Sequence, residues 1–173
     1  MIKKLTADFF DCDCEELSIK LLGKVICIQN GEHVIRKIIT EVEAYGINDT
    51  ACHTYKGRTK RNDPMFKQGG TVYVYLCYGI HEILNFVSGK DGEGQGVMIR
   101  GIEGAIGPGR VSKILNIDRS LNYEFLPTSD RIWLEDGEPV DEDKIERLKR
   151  VGIGYATQED QDRLWRFSIA KHM

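Results

Sequence analysis

The sequence contains no apolar run approaching the roughly 20 residues that a membrane-spanning helix needs, so no spanning segment is expected. Its opening stretch, MIKKLTADFFDCDCEEL, begins basic but turns acidic before any apolar stretch develops, which predicts no secretory signal. No two cysteines have CxxC spacing, and the five present (Cys12, Cys14, Cys27, Cys52 and Cys77) are odd in number. Neither a disulfide framework nor a metal or iron–sulfur site is therefore expected, which leaves reduced thiols in an intracellular, non-secreted protein. Repeats, linkers and low-complexity tracts are missing as well. Nor is there any excess of positive charge: 24 Lys and Arg face 27 Asp and Glu, a net charge of −3. That argues against a strong nonspecific nucleic-acid binder, which carries a basic surface.

What the sequence does have is enough chain for one domain over residues 1–173 with a proper core. Its charges are unevenly placed. Between His53 and Lys67 stand Lys56, Arg58, Lys60, Arg61 and Lys67 against the single Asp63, while acid gathers at residues 135–143. A basic segment of this kind can meet phosphates locally, although the same pattern also suits a solvated loop.

The elements follow from pattern. Asp13 and Glu16 have capping-box spacing, which predicts a helix over Cys14–Leu22 stopped by Gly23. Lys24–Gln29 and Val34–Tyr45 read as a hairpin about Asn30-Gly31. Alternation along the second strand puts Ile39, Glu41, Glu43 and Tyr45 on one side and Thr40, Val42 and Ala44 on the other. Residues 46–70 read as a long loop, which compact domains often use for function. Thr71–Tyr78 is a β-rich run with Tyr73 and Tyr75 on one face and Val72, Val74 and Leu76 on the other. Further strands are expected at Ile83–Ser88 and Val97–Ile102. The Gly-rich stretch between them, residues 91–96, lacks the Lys-Ser/Thr of a phosphate loop and reads as a hairpin turn. Pro108 opens a helix carrying Val111, Ile114 and Leu115 on one face. A second helix is expected over Asp141–Val151 and a final strand over Trp165–Ala170. The sum is a mixed α/β (α+β) domain with a mostly antiparallel sheet, since the connections are too short for several βαβ units.

Four pieces carry chemistry: Glu43-Ala44-Tyr45, His53, Arg61–Phe66, and Tyr73–Gly79 with Asn85. A carboxylate on a rigid strand can activate water, aromatic rings can sandwich a flat ring, and basic loop residues can hold phosphates. Enzymes that act on a nucleobase extrude it and stack it between such side chains. Each piece alone has an ordinary alternative, tyrosines in a strand being more often core.

Together these pieces resemble the alkyladenine (3-methyladenine) DNA glycosylase family along almost the whole chain. The motifs are Leu5–Phe10, Leu21–Lys24, Thr40–Tyr45, Gly57–Asn62 with Met65-Phe66, Gly70–Tyr75 with Tyr78-Gly79 and Asn85, Ile99-Arg100, Gly107–Arg110 and Arg150–Ile153. The resemblance implies a single compact domain with a curved antiparallel sheet flanked by helices, using no metal and no organic cofactor. It implies Glu43 as the general base and Arg100 beside the catalytic water. Tyr45, His53 and Tyr75 would contact the flipped base, and Asn85 would clash with the amino group of guanine. Tyr78 would wedge into the duplex, with Arg58, Lys60 and Arg61 on the DNA backbone. The implied partner is double-stranded DNA containing damaged purines, met by a monomer in the cytoplasm (at a bacterial nucleoid) or in a nucleus. No lysine stands in these motifs as an amine nucleophile, so hydrolysis without strand cleavage is expected. Two other readings keep some of the same residues: a nucleic-acid-binding module without catalysis, and an enzyme cleaving free nucleosides.

Overall fold

The computed structural model describes residues 3–173. Helix α1 (Cys14–Leu21) starts where the capping pattern put it, with the Asp13 carboxylate accepting the Glu16 N–H at 2.9 Å. Cys14, Leu17, Ser18 and Leu21 recur at helical spacing and form its buried face, against β2 (His33–Tyr45) and β5 (Gln95–Ile102). β1 (Val25–Asn30) and β2 pair as the expected hairpin, with Asn30 opposite His33. After the long loop come β3 (Val72–Cys77) and β4 (His81–Ser88), then β5, the two-residue β6 (Ala105–Ile106) and α2 (Pro108–Leu115). The chain ends through β7 (Ile132–Glu135), β8 (Glu146–Leu148), α3 (Gln158–Asp162) and β9 (Arg166–Ser168).

All strand pairs are antiparallel, in the order β3-β4-β5-β2-β1-β7, and the sheet is curled. β2 is its central strand: beyond the stretch paired to β1, its far half lies between β5 and the short β9. Strand alternation then divides β2–β5 into two sets of side chains. Val42, Ala44, Val72, Val74, Leu84, Phe86, Val97 and Ile99 fill the main core under the helices. Glu43, Tyr45, Tyr73, Tyr75, Asn85, Met98 and Arg100 have the opposite parity and are left for the other face.

Three sequence expectations are corrected. Residues 141–151 form no α-helix: a 3-10 helix at Glu142–Lys144 leads into β8, whose Glu146, Arg147 and Leu148 pair with β9. Pairing with a strand twenty residues away overrides the local helical preference. Ile39 joins Val42 and Ala44 in the core, because the register against β5 shifts on both sides of Glu41 and breaks the alternation there. Ile114 is exposed, so α2 buries only Val111, Ser112 and Leu115. Among the described residues no helix is long and apolar enough to cross a membrane.

Candidate active site

Glu43 lies on β2 with Met98 of β5 opposite it on one side and Arg166 of β9 on the other. The side chain is fully buried at the back of a cleft. One carboxylate oxygen accepts the Tyr45 hydroxyl at 3.1 Å and the other accepts the backbone N–H of Val151 at 2.7 Å. Burial pushes the carboxyl's pKa up, while these two hydrogen bonds and the charges of Arg100 and Arg166 pull it down. Burial wins, which leaves a carboxylate with increased affinity for a proton. Tyr45 is driven well above its ordinary range by burial and by Glu43, so its hydroxyl remains a donor.

Glu41, two residues earlier, is placed differently. Its oxygens face Nε of Arg100 at 3.2 Å and an Arg166 nitrogen at 3.4 Å. Two guanidiniums thus neutralise Glu41, whereas Glu43 has no cation within ion-pairing distance among the described residues. Arg100 lines the same cleft as Glu43, anchored from behind by Glu41.

The cleft has a volume of about 300 Å³, at the lower end for small-molecule sites. One wall is aromatic. The His53 ring lies 4.3 Å from the Tyr75 ring, and its Nδ1 is 3.2 Å from the Tyr73 hydroxyl. His53 is open along the cleft, yet surrounding protein desolvates it and Arg61 repels its charge, so its pKa is lowered and the ring stays neutral. Behind this wall is a hollow of about 30 Å³ lined by Cys52, Met65 and Asn85, which shares Tyr45, His53 and Tyr75 with the cleft. Asn85 is buried, and its amide nitrogen donates to the carbonyls of Tyr73 (3.3 Å) and Ile83 (3.2 Å). That fixes the amide in the lining of the hollow.

Tyr78 stands at the tip of the β3–β4 hairpin, at the mouth of the cleft, 90% exposed. Its φ of +52° is followed by +68° at Gly79, a left-handed pair that turns the aromatic ring out of the sheet. Arg61 also reaches the cleft, donating to the Leu76 carbonyl at 2.9 Å and lying over the Tyr75 ring at 5.5 Å. Arg58 and Lys60 do not line it. Arg58 is paired with Asp63 and rests on the Phe66 ring, and Asp63 is further engaged by Tyr123 and Lys67. The one acid in the basic segment therefore offsets part of its charge. Lys60 is exposed and makes no ion pair among the described residues.

Sequence reasoning missed several contributors. Met98 and Tyr155 line both cavities, and Tyr73, read only as part of the aromatic run, meets His53 through its hydroxyl. Val151 contributes through its backbone. Arg150 and Asp49 form a buried ion pair behind them. The motif Arg150–Ile153 was visible, but nothing along the chain ties it to a strand a hundred residues earlier.

The chain matches the sequence model of the family described as Methylpurine-DNA glycosylase (MPG) over residues 8–106 and 103–173. It is 36% identical to the "DNA-3-methyladenine glycosylase" of Arabidopsis thaliana, over 98% of this chain and 72% of the plant protein. Two proteins that carry the name "Putative 3-methyladenine DNA glycosylase" are each 40% identical. The one from Methanocella arvoryzae aligns over 94% of this chain and 90% of its own length, and the one from Legionella pneumophila (strain Lens) over 97% and 95%.

Proposed function

This chain belongs to the methylpurine-DNA glycosylase family, and from that premise we propose that it flips alkylated and deaminated purines out of duplex DNA and hydrolyses their N-glycosidic bond. It is a DNA glycosylase of base excision repair, a hydrolase of N-glycosyl bonds in the class of the 3-methyladenine enzymes. The whole of residues 1–173 acts as one glycosylase domain, as a monomer, and leaves an abasic site.

The observation that carries the reading is the fully buried Glu43, proton-seeking and held by two donors, at the back of a cleft walled by His53 and Tyr75. In the proposed reaction the C1′–N bond breaks as the sugar develops oxocarbenium character, which a nearby carboxylate stabilises. A water adds to C1′ and gives its proton to Glu43. The electron pair of the broken bond leaves with the purine, which alkylation at a ring nitrogen has already made a better leaving group. For an alkylated purine no strong general acid is then needed, a deaminated purine departing as an anion that takes its proton from solvent, and the chemistry as written calls on neither a metal nor an organic cofactor. Arg100 flanks the water and the target nucleotide. Tyr45, His53 and Tyr75 hold the extruded base, Tyr78 fills the vacated space, and Lys60 and Arg61 meet phosphates, with Arg58 contributing less because Asp63 already holds it.

Incubation with methylated duplex DNA, and separately with the free methylated nucleosides, tests the proposal. Released purine and alkali-labile sites are expected from the duplex. Equal turnover of the nucleosides would reassign the cleft to nucleoside hydrolysis, and tight binding without release would leave a DNA-binding module.

Asn85 gives a prediction of selectivity. We take Asn85, its amide held by the Tyr73 and Ile83 carbonyls, to exclude guanine by steric conflict with the N2 amino group. Asn85→Ala and Asn85→Ser should each release measurable undamaged guanine while still excising methylated purines. Background guanine release with normal lesion excision would make Asn85 a packing residue.

A further inference from the structure

Arg150 is a guanidinium with no exposed side-chain surface. One terminal nitrogen donates to the Ala44 carbonyl (2.9 Å) and to Asp49; the other donates to Asp49 (3.0 Å) and to the Asp160 carbonyl (3.0 Å). The group lies 5.0 Å from the Tyr45 ring and 5.3 Å from that of Trp165. Asp49 in turn accepts the N–H groups of Gly46 (3.1 Å) and Ala51 (3.0 Å), which shapes the loop leading to His53. Gly46 itself has no room for a side chain, since a Cβ there would meet the Trp165 ring at 2.9 Å.

Two more ties join the same two stretches of chain. The Tyr155 hydroxyl donates to the Ala51 carbonyl at 2.7 Å. The Asp160 carboxylate accepts both the hydroxyl and the N–H of Thr50, the latter at 2.9 Å, and the Thr157 hydroxyl at 3.1 Å. Those bonds, led by the Thr50 hydroxyl, hold its carboxyl at about 2. Residues 150–163 are thus fastened to loop 46–53 at three points. The residue after Arg150 donates to Glu43, the residue whose carbonyl it grips follows Glu43, and the loop it grips ends at His53.

Resting on the glycosylase reading, we infer that Arg150 is a positioning residue: its two-pronged grip on Ala44 and Asp49 fixes the Val151 N–H on Glu43 and sets the distance between Glu43 and the His53 wall. A buried ion pair is a weak source of stability in itself, because desolvation offsets most of its attraction. What a planar fork with four bonds supplies is geometry, and lysine cannot reproduce it. Small misplacements of reacting groups are expensive, reaching about 10²-fold for 1 Å.

Arg150→Lys tests this with charge kept constant. The charged and titratable groups around Glu43 are Tyr45 and Glu41 on β2, Arg100 on β5, Arg166 on β9, Tyr75 on β3, and Arg150 and Tyr155. All keep their charge in this variant; only the fork is lost. The primary readout is the Glu43 carboxyl titration by ¹³C NMR, its signal assigned by its loss in Glu43→Gln. Release of the Val151 hydrogen bond should raise that pKa by about one unit, the worth of one bond to a charged group. The acid limb of the single-turnover rate on methylated duplex DNA should move up with it, and the plateau rate should fall about 10²-fold with unchanged duplex affinity. A residue that merely supports the fold would lower the melting temperature and leave the titration and the acid limb in place, which would overturn the inference. Should Arg150→Lys not fold, Thr50→Val loosens the same clamp at its half-exposed end. It should move the titration in the same direction by less, and an unmoved Glu43 in the folded variant would equally overturn the inference. Because the titration needs no turnover, a wild type that releases no base sinks the glycosylase reading and leaves the clamp to be judged by NMR.

Discussion

Glu43→Gln is expected to lose base release by about 10²–10⁴-fold, the usual loss when a general base is removed, and yet to melt at a higher temperature than the wild type at neutral pH. The amide fits the same hydrogen bonds. Its oxygen can accept the Val151 N–H, and its nitrogen can donate to the Tyr45 oxygen once that hydroxyl rotates, so no buried donor is left facing another. The gain in stability follows from the raised pKa of Glu43, whose first cause is burial. In the unfolded chain the group titrates near its ordinary 4.5, and in the folded chain it titrates higher. The folded protein therefore holds this proton more tightly. The associated stability is fully present below the unfolded value and is lost as pH rises through the folded one. Glutamine has no proton to lose, so the variant keeps at pH 7 what the wild type has given up. The difference in melting temperature should shrink as pH falls toward 4.5. Single-turnover excision with melting curves at several pH values checks both halves. Excision within a fewfold of wild type would remove Glu43 from the role of base.

Tyr78→Ala should slow excision from duplex DNA by roughly 5- to 150-fold. Unstacking and unpairing a base costs a few kcal/mol, an inserted aromatic ring returns about 1–3 kcal/mol by stacking, and each 1.4 kcal/mol is about tenfold in rate. The fold should barely notice the change, because the ring projects from the hairpin tip into solvent. The loss should be largest for a stably paired lesion such as hypoxanthine opposite thymine. It should shrink opposite a mismatch and nearly vanish on single strands, where little stacking remains to be offset. An equal loss in all three contexts would mean that Tyr78 shapes the cleft rather than entering the DNA.

The parts of the site that were legible in the sequence are the local ones. Tyr73 and Tyr75 share a face because strands alternate, and β3 is regular over its whole length. The turn at Tyr78-Gly79 is local too, since glycine marks where the chain must reverse. β2 is harder. Alternation puts both Glu41 and Glu43 on the polar side, and nothing in the sequence says which one is free. That depends on Arg100 and Arg166, brought in on neighbouring strands from 59 and 125 residues away. Asp49 and Arg150 are 101 residues apart, and only the fold joins them. The misread helix at residues 141–151 has the same origin: β8 is a strand because β9 is there to pair with it. Arg58 is the exception, because its partner Asp63 is five residues away and the sequence already showed both.

The central claim, that Glu43 and this cleft hydrolyse a purine from DNA and do nothing further to the strand, is tested most directly by oligonucleotide duplexes carrying one defined lesion each. Among the described residues, neither the cleft nor the hollow behind it is lined by a lysine that could attack the sugar as an amine. After incubation with the wild-type protein, strands holding an excised lesion should stay intact until heat and alkali cleave them at the lesion. Alkali-stable strands for every methylated and deaminated purine, or strands cut before alkali is added, would contradict the account.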